Sequence, residues 1–154
     1  MQPRLNPNEA APAAYHALLA LEKYVRGSGL EQGLLDLIKV RASQVNGCAY
    51  CIDMHTKDAR AAGESEHRLY GLNAWRESPF YSDRERAALD WTEALTLVAA
   101  THVPDAVYEH ARGHFSEKEL TNLTMAVVAI NGWNRLAIAF RAVPGEYQPA
   151  AAKA

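Results

Sequence analysis

Wherever apolar and polar positions repeat regularly along this chain, they keep the 3.6-residue period of a helix, and no stretch shows the two-residue alternation of a strand. From Glu31 to Gln44 the apolar positions Leu34, Leu37, Ile38 and Ala42, continued by Val45, hold that period with no Gly or Pro after Gly33. A helix is predicted before it from Glu9 to Arg26, with Tyr15, Leu18, Leu19 and Leu21 among alanines and Gly27 and Gly29 as its stop. Asn46-Gly47 is a helix-breaking corner, after which a third helix runs to Ala62 and stops at Gly63. Ser65 then caps a short helix through Leu72, and Glu77 to Tyr81, with Pro79, reads as a loop.

Ser82 stands three residues before Glu85, a capping box that opens an amphipathic helix through Ala87, Ala88, Trp91, Ala94, Leu95 and Val98. Pro104 and Gly113 frame a short helix carrying Val107 and His110. A second capping box, Ser116 with Glu119, starts the longest helix, expected to reach Ala142 before Pro144 and Gly145 end it. The predicted architecture is all-α, about six to seven helices in one domain over 9–146, with a flexible lead-in at 1–8 and a flexible tail at 147–154. Met125 to Ile130 is apolar all round its helix, which calls for a central helix wrapped by the others, for self-association, or for both.

Composition narrows the function classes. A chain of 154 residues with net charge −2 suits one ordinary core, and without a basic run it lacks the electrostatic footprint of a nucleic-acid or anionic-membrane binder. No secretory leader pattern and no membrane-length apolar run is visible, so a soluble, cytoplasmic protein is expected. Two cysteines are too few for a secreted disulfide scaffold, and here they stand together as Cys48-Ala49-Tyr50-Cys51, with His55 four residues on. On a helix turning ~100° per residue, Cys48, Cys51 and His55 project within a ~60° sector.

At a helix start, unpaired N–H groups and the dipole favour a thiolate, which points to Cys48 as the more acidic thiol. Adjacency to His55 favours Cys51 instead, because the imidazole can accept its proton. Three chemistries fit the cluster: thiol redox cycling, zinc held by Cys48, Cys51, His55 and a fourth ligand such as Asp36, and plain burial of small apolar side chains. His67, His102, His110 and His114 have no partner spacing and read as surface or capping residues. Trp75, Trp91 and Trp133 read as packing anchors, and Asn134 and Arg135 as a buried hydrogen bond or an interface contact.

The run from Ile38 to His55, with Asn73-Ala74-Trp75-Arg76, Asp83 to Leu89 and Asn131-Gly132-Trp133-Asn134-Arg135, resembles the alkylhydroperoxidase D-like proteins of the carboxymuconolactone decarboxylase superfamily. The resemblance implies a compact helical fold assembled as a homotrimer or homohexamer, with no metal or organic cofactor. It implies thiol-dependent reduction of alkyl or hydrogen peroxides, Cys51 attacking, Cys48 resolving and His55 in the proton relay, with an external lipoamide-like or thioredoxin-like dithiol as reductant. Where the best-known members carry a relay glutamate, twelve residues before the first cysteine, this chain has Asp36. It also has Tyr50 where they carry a histidine, and a tyrosine is a poor base at neutral pH. Those departures favour general thiol–disulfide exchange as an alternative; a non-enzymatic redox sensor, whose disulfide changes assembly or partner binding, is another. Asp36 also has a plainer account as a solvated charge paired with Lys39.

Overall fold

The computed structural model describes residues 2–149. Among them are nine α-helices, one 3₁₀ turn (Leu72–Ala74) and no strand. The helices are α1 (Pro7–Ala10), α2 (Pro12–Arg26), α3 (Gln32–Asn46), α4 (Ala49–Ala61), α5 (Glu66–Tyr70), α6 (Asp83–Thr96), α7 (Val98–Thr101), α8 (Asp105–Arg112) and α9 (Glu117–Phe140). Since α1 and α7 are four-residue turns, seven longer helices carry the fold, in line with the all-α expectation.

Boundaries follow local chemistry. Both capping boxes form: Ser82 accepts the Glu85 N–H and Ser116 the Glu119 N–H, while each glutamate reaches back to its serine's N–H. The predicted first helix is split, because Pro12 has no N–H to continue α1 and instead occupies the first position of α2. The α6 helix closes at Thr96 instead of Val98, and α9 at Phe140 instead of Ala142, where Arg141 turns left-handed at φ 57°.

Helix α3 lies at the centre and packs against α4, α6 and α9. Leu34, Leu35 and Ile38 enter one core cluster with Ala88, Trp91, Phe115 and Leu123, while Leu37 and Val40 enter a second with Leu72, Trp75, Tyr81 and Leu89. The wrapped central helix is therefore α3. The apolar block of α9 instead covers α2, α3 and α6 on one side and leaves Val128 half-exposed on the other. By length and composition α9 could cross a membrane, but here it is a packed helix with Asn122 and Asn134 buried on its inner side.

Two described segments that flank the helices are hydrogen-bonded to them. The Arg4 N–H and guanidinium donate to the Phe140 and Ala139 carbonyls at 3.0 Å each, satisfying acceptors that the last turn of α9 leaves free. Tyr147 donates its hydroxyl to Asp58 at 2.7 Å and accepts from Lys57 at its carbonyl. Residues 150–154 of the expected tail, and Met1, lie outside the described residues.

Truncation of a fully buried α3 side chain, Leu35→Ala, is expected to cost about 2–5 kcal/mol, against about 1 kcal/mol for the cap variant Ser116→Ala. Urea unfolding of the two variants beside wild type checks this ranking.

Candidate active site

The corner between α3 and α4 sets the geometry. Gly47 takes the left-handed conformation, φ 69°, that a glycine adopts without Cβ strain. The Gly47 N–H donates to the Gln44 carbonyl at 3.2 Å and the Cys48 N–H to the Ser43 carbonyl at 2.9 Å, the pair of bonds that defines a Schellman ending. Cys48 is thereby held at the helix start, just ahead of the first turn. It is the N-cap of α4, and its sulfur accepts the Cys51 N–H at 3.4 Å. One turn on, the Cys51 sulfur lies 2.7 Å from that of Cys48, and both are free thiols.

This arrangement separates the two thiols. The Cys51 S–H donating to it brings Cys48 down to about 7, against burial, with further help from the Cys51 N–H and the Asn134 side chain. The same hydrogen bond, and then burial, push Cys51 up. The pair therefore gives up one proton near neutrality and keeps the other between the sulfurs.

Asn134, fully buried on α9, secures this corner. Its Nδ2 donates to Ser43 Oγ at 3.0 Å and its Oδ1 accepts from Asn46 Nδ2 at 2.8 Å, so one amide braces both ends of the turn that presents Cys48. The expected buried hydrogen bond is thus found at Asn134, whereas Arg135 is exposed and bonds back to Asn131.

Cys51 lines a cavity of about 540 Å³ and Cys48 does not. The cavity runs between α4, α2, α9 and the N-terminal segment; Tyr15, Leu19, Trp133, Leu136 and Phe140 give it mostly apolar walls. Trp133, expected as a packing anchor, meets the Tyr15 ring edge-on at 5.1 Å on this wall. His55 joins the lining; its Nε2 is buried without a partner, and burial, followed by the Lys39 charge, lowers it to about 4. The imidazole is neutral at pH 7. Tyr50 also lines the cavity, and burial raises its phenol above the ordinary value, so it keeps its proton.

The predicted residues do not all meet. Cys48, Cys51 and His55 share one helix and one neighbourhood, but Asp36 is not in the cavity lining. Its carboxylate accepts from Gln32 at 2.7 Å, and burial raises it. Nor is it a solvated charge paired with Lys39: it is 6 % exposed, and Lys39, 1 % exposed, pairs with Glu22 on α2. The carboxylate that does line the cavity is this Glu22. A sequence signal existed for it, since Glu22 stands four residues after Leu18 and three after Leu19, on the apolar side of its helix. The four remaining predicted surface histidines line no part of the cavity. Among the described residues, no three His, Cys, Asp or Glu side chains group to hold a metal ion.

The structure is thus a helical domain with a free dithiol at a helix start, one thiol of which lines a mostly apolar cavity beside a buried imidazole. The chain belongs to the carboxymuconolactone decarboxylase family, whose model matches residues 12–94. It is 45% identical over 139 residues to the uncharacterized protein YdfG of Bacillus subtilis, covering 90% of this chain and 95% of that one. A crystal structure from Agrobacterium tumefaciens, of a protein of unknown function proposed to be the antioxidant defence protein AhpD, superposes with TM-score 0.92 at 46% identity, over 95% of this chain and all of that one. The debrominase Bmp8 shares the fold at TM-score 0.81 and 19% identity, over 90% of this chain and 74% of its own.

Because thiolate is the nucleophile, alkylation of the reduced protein by iodoacetamide is expected to accelerate as pH rises through about 7, the value at which Cys48 ionises. Replacing Asn134 with Ala removes a group that favours thiolate, and is expected to move that midpoint upward. Stopped-time alkylation with peptide mass mapping checks both the midpoint and the direction.

Proposed function

We propose that this protein is a thiol-dependent peroxidase of the alkylhydroperoxidase type, acting on organic hydroperoxides through the Cys48/Cys51 pair. The observation that carries this reading is the division of labour between the thiols. Cys51 lines the apolar cavity, and Cys48 lies outside the cavity lining with its sulfur 2.7 Å from that of Cys51. A hydroperoxide enters with its carbon skeleton against Tyr15, Trp133 and Phe140 and its O–O bond toward Cys51.

Ionisation of the pair supplies the thiolate. Cys51 takes the charge by passing its shared proton to Cys48, its sulfur attacks the nearer peroxide oxygen, and the O–O bond breaks. The products are a sulfenic acid on Cys51 and, with one proton, an alcohol. Cys48 then attacks the sulfenic sulfur, a disulfide forms and water leaves. An external dithiol, lipoamide-like or thioredoxin-like, restores both thiols by exchange and becomes a disulfide itself. No organic cofactor or metal enters this cycle. A cytoplasmic setting, where thiols are kept reduced, suits it.

The bare side of α9, with Val128 and Ile138 about half exposed, supports self-association as a homotrimer or homohexamer. Tyr50 favours general thiol–disulfide exchange as the second reading: with its phenol protonated, it supplies no base where a histidine would. A redox sensor, whose disulfide alters assembly, uses the same thiols and differs in changing size on oxidation.

One equivalent of cumene hydroperoxide is expected to consume both thiols of the wild type, and in Cys48→Ser to leave a sulfenic acid trapped at Cys51 by dimedone. Cys51→Ser is expected to lower the rate of peroxide consumption by at least about a thousandfold. Intact mass and thiol titration read both results; thiols that survive the peroxide but exchange with a disulfide buffer would overturn the peroxidase reading in favour of exchange.

A further inference from the structure

The cavity beside Cys51 contains one carboxylate that belongs to no part of the cysteine motif. Glu22 projects from α2, is 13 % exposed at its side chain, and lines the same cavity as Cys51 and His55. It is ion-paired to buried Lys39 from α3 and, at 3.0 Å, to Arg26 on its own helix. These two cations fix its place, since breaking a buried pair leaves an uncompensated charge. Asp36, the acid expected to serve His55, accepts from Gln32 and is absent from the cavity lining.

We propose that Glu22, not Asp36, is the positioning carboxylate of the His55 proton relay. The proposal rests on the thiol chemistry described above and adds to it a residue from outside the Cys-x-x-Cys-x-x-x-His motif. When a thiol proton is taken up by His55, an imidazolium forms in a buried site. The charged groups acting on it are Lys39 from α3 and Glu22 and Arg26 from α2; α4 adds Cys51 and Tyr50 to the lining, and α9 only Trp133, Leu136, Ala137 and Phe140. Lys39 and Arg26 oppose the imidazolium and Glu22 favours it. In the peroxide step the sulfur–oxygen bond forms, the O–O bond breaks, sulfur is oxidised by two electrons and the peroxide is reduced. The proton carried by His55 goes to the departing alkoxide, which leaves as the alcohol.

A purely electrostatic role for Glu22 predicts the opposite sign. Glu22 is the negative member of a cluster with two cations, so neutralising it strengthens the positive field, favours the thiolate and speeds every thiolate reaction. A relay role slows only reactions whose leaving group must be protonated. The decisive experiment compares three electrophiles on the reduced full-length protein at pH 7: cumene hydroperoxide, hydroxyethyl disulfide and iodoacetamide. The first two expel a basic alkoxide or alkanethiolate, whereas iodide needs no proton.

Glu22→Gln is expected to slow the first two by about tenfold and to leave iodoacetamide as fast as wild type or faster. Glu22→Asp restores part of the loss, and Asp36→Asn loses at least about fivefold less than Glu22→Gln. The double variant Glu22→Gln with Lys39→Met removes both buried charges, guards against misfolding from an unpaired lysine, and is expected to stay slow. Recovery of wild-type rates in the double variant, a greater loss in Asp36→Asn, or equal slowing of all three electrophiles overturns the assignment. A wild type inert to cumene hydroperoxide but active on the disulfide defeats the peroxidase reading and leaves the Glu22 assignment to be decided by the disulfide arm. A wild type inert to both defeats the two together.

Discussion

Helix α3 has almost no solvent face, and that constraint shapes everything near the dithiol. From Leu34 to Val40 every residue is buried, and Asp36 and Lys39 are buried with the rest. A cation held away from water must be paired, and Lys39 is met by Glu22 from α2. That pair ties α2, which packs along α9, to α3, and it holds Glu22 in the lining of the cavity that His55 shares. At the other end of α3, Ser43 donates its hydroxyl back to the Lys39 carbonyl and accepts from Asn134, while its own carbonyl receives the Cys48 N–H. The buried helix is thus the reference against which both the cavity and the cysteine turn are positioned.

The two thiols differ because the helix start treats them differently. Cys48 stands at the N-cap, where its sulfur accepts the Cys51 N–H and the bond between the two sulfurs favours its thiolate. Cys51 donates one of those bonds and is correspondingly harder to ionise. Access runs the other way, since it is Cys51 that opens on the cavity. A 2.7 Å sulfur contact reconciles the two, because a proton shared along it lets the charge develop on one sulfur and the chemistry occur at the other. His55 remains neutral in this setting and is available as a proton acceptor.

The family likeness and the cavity speak to different questions. Membership in the carboxymuconolactone decarboxylase family establishes the helical frame, and a frame of this shape also houses a debrominase, so the fold by itself does not select a reaction. What supports the thiol reading proposed here is local: two free cysteines one turn apart, an N-cap that favours thiolate, and a mostly apolar chamber lined by one of them. Mostly apolar walls of this kind suit a ligand with a carbon skeleton.

What depends on neighbours along the chain is legible in the sequence. Both capping boxes, the Gly47 corner and the grouping of Cys48, Cys51 and His55 on one helix are local events, governed by hydrogen bonds and side-chain periods within a few residues. The split at Pro12 is equally local, although the alanines around it look like one continuous helix. Packing between helices settles which helix is central, which of Asp36 and Glu22 comes to the cavity, and that Asn134 braces the cysteine turn from 88 residues beyond Asn46. Those outcomes depend on how helices distant in sequence pack, where burial forces each polar group to find a partner, and no spacing along a single helix records which partner that will be.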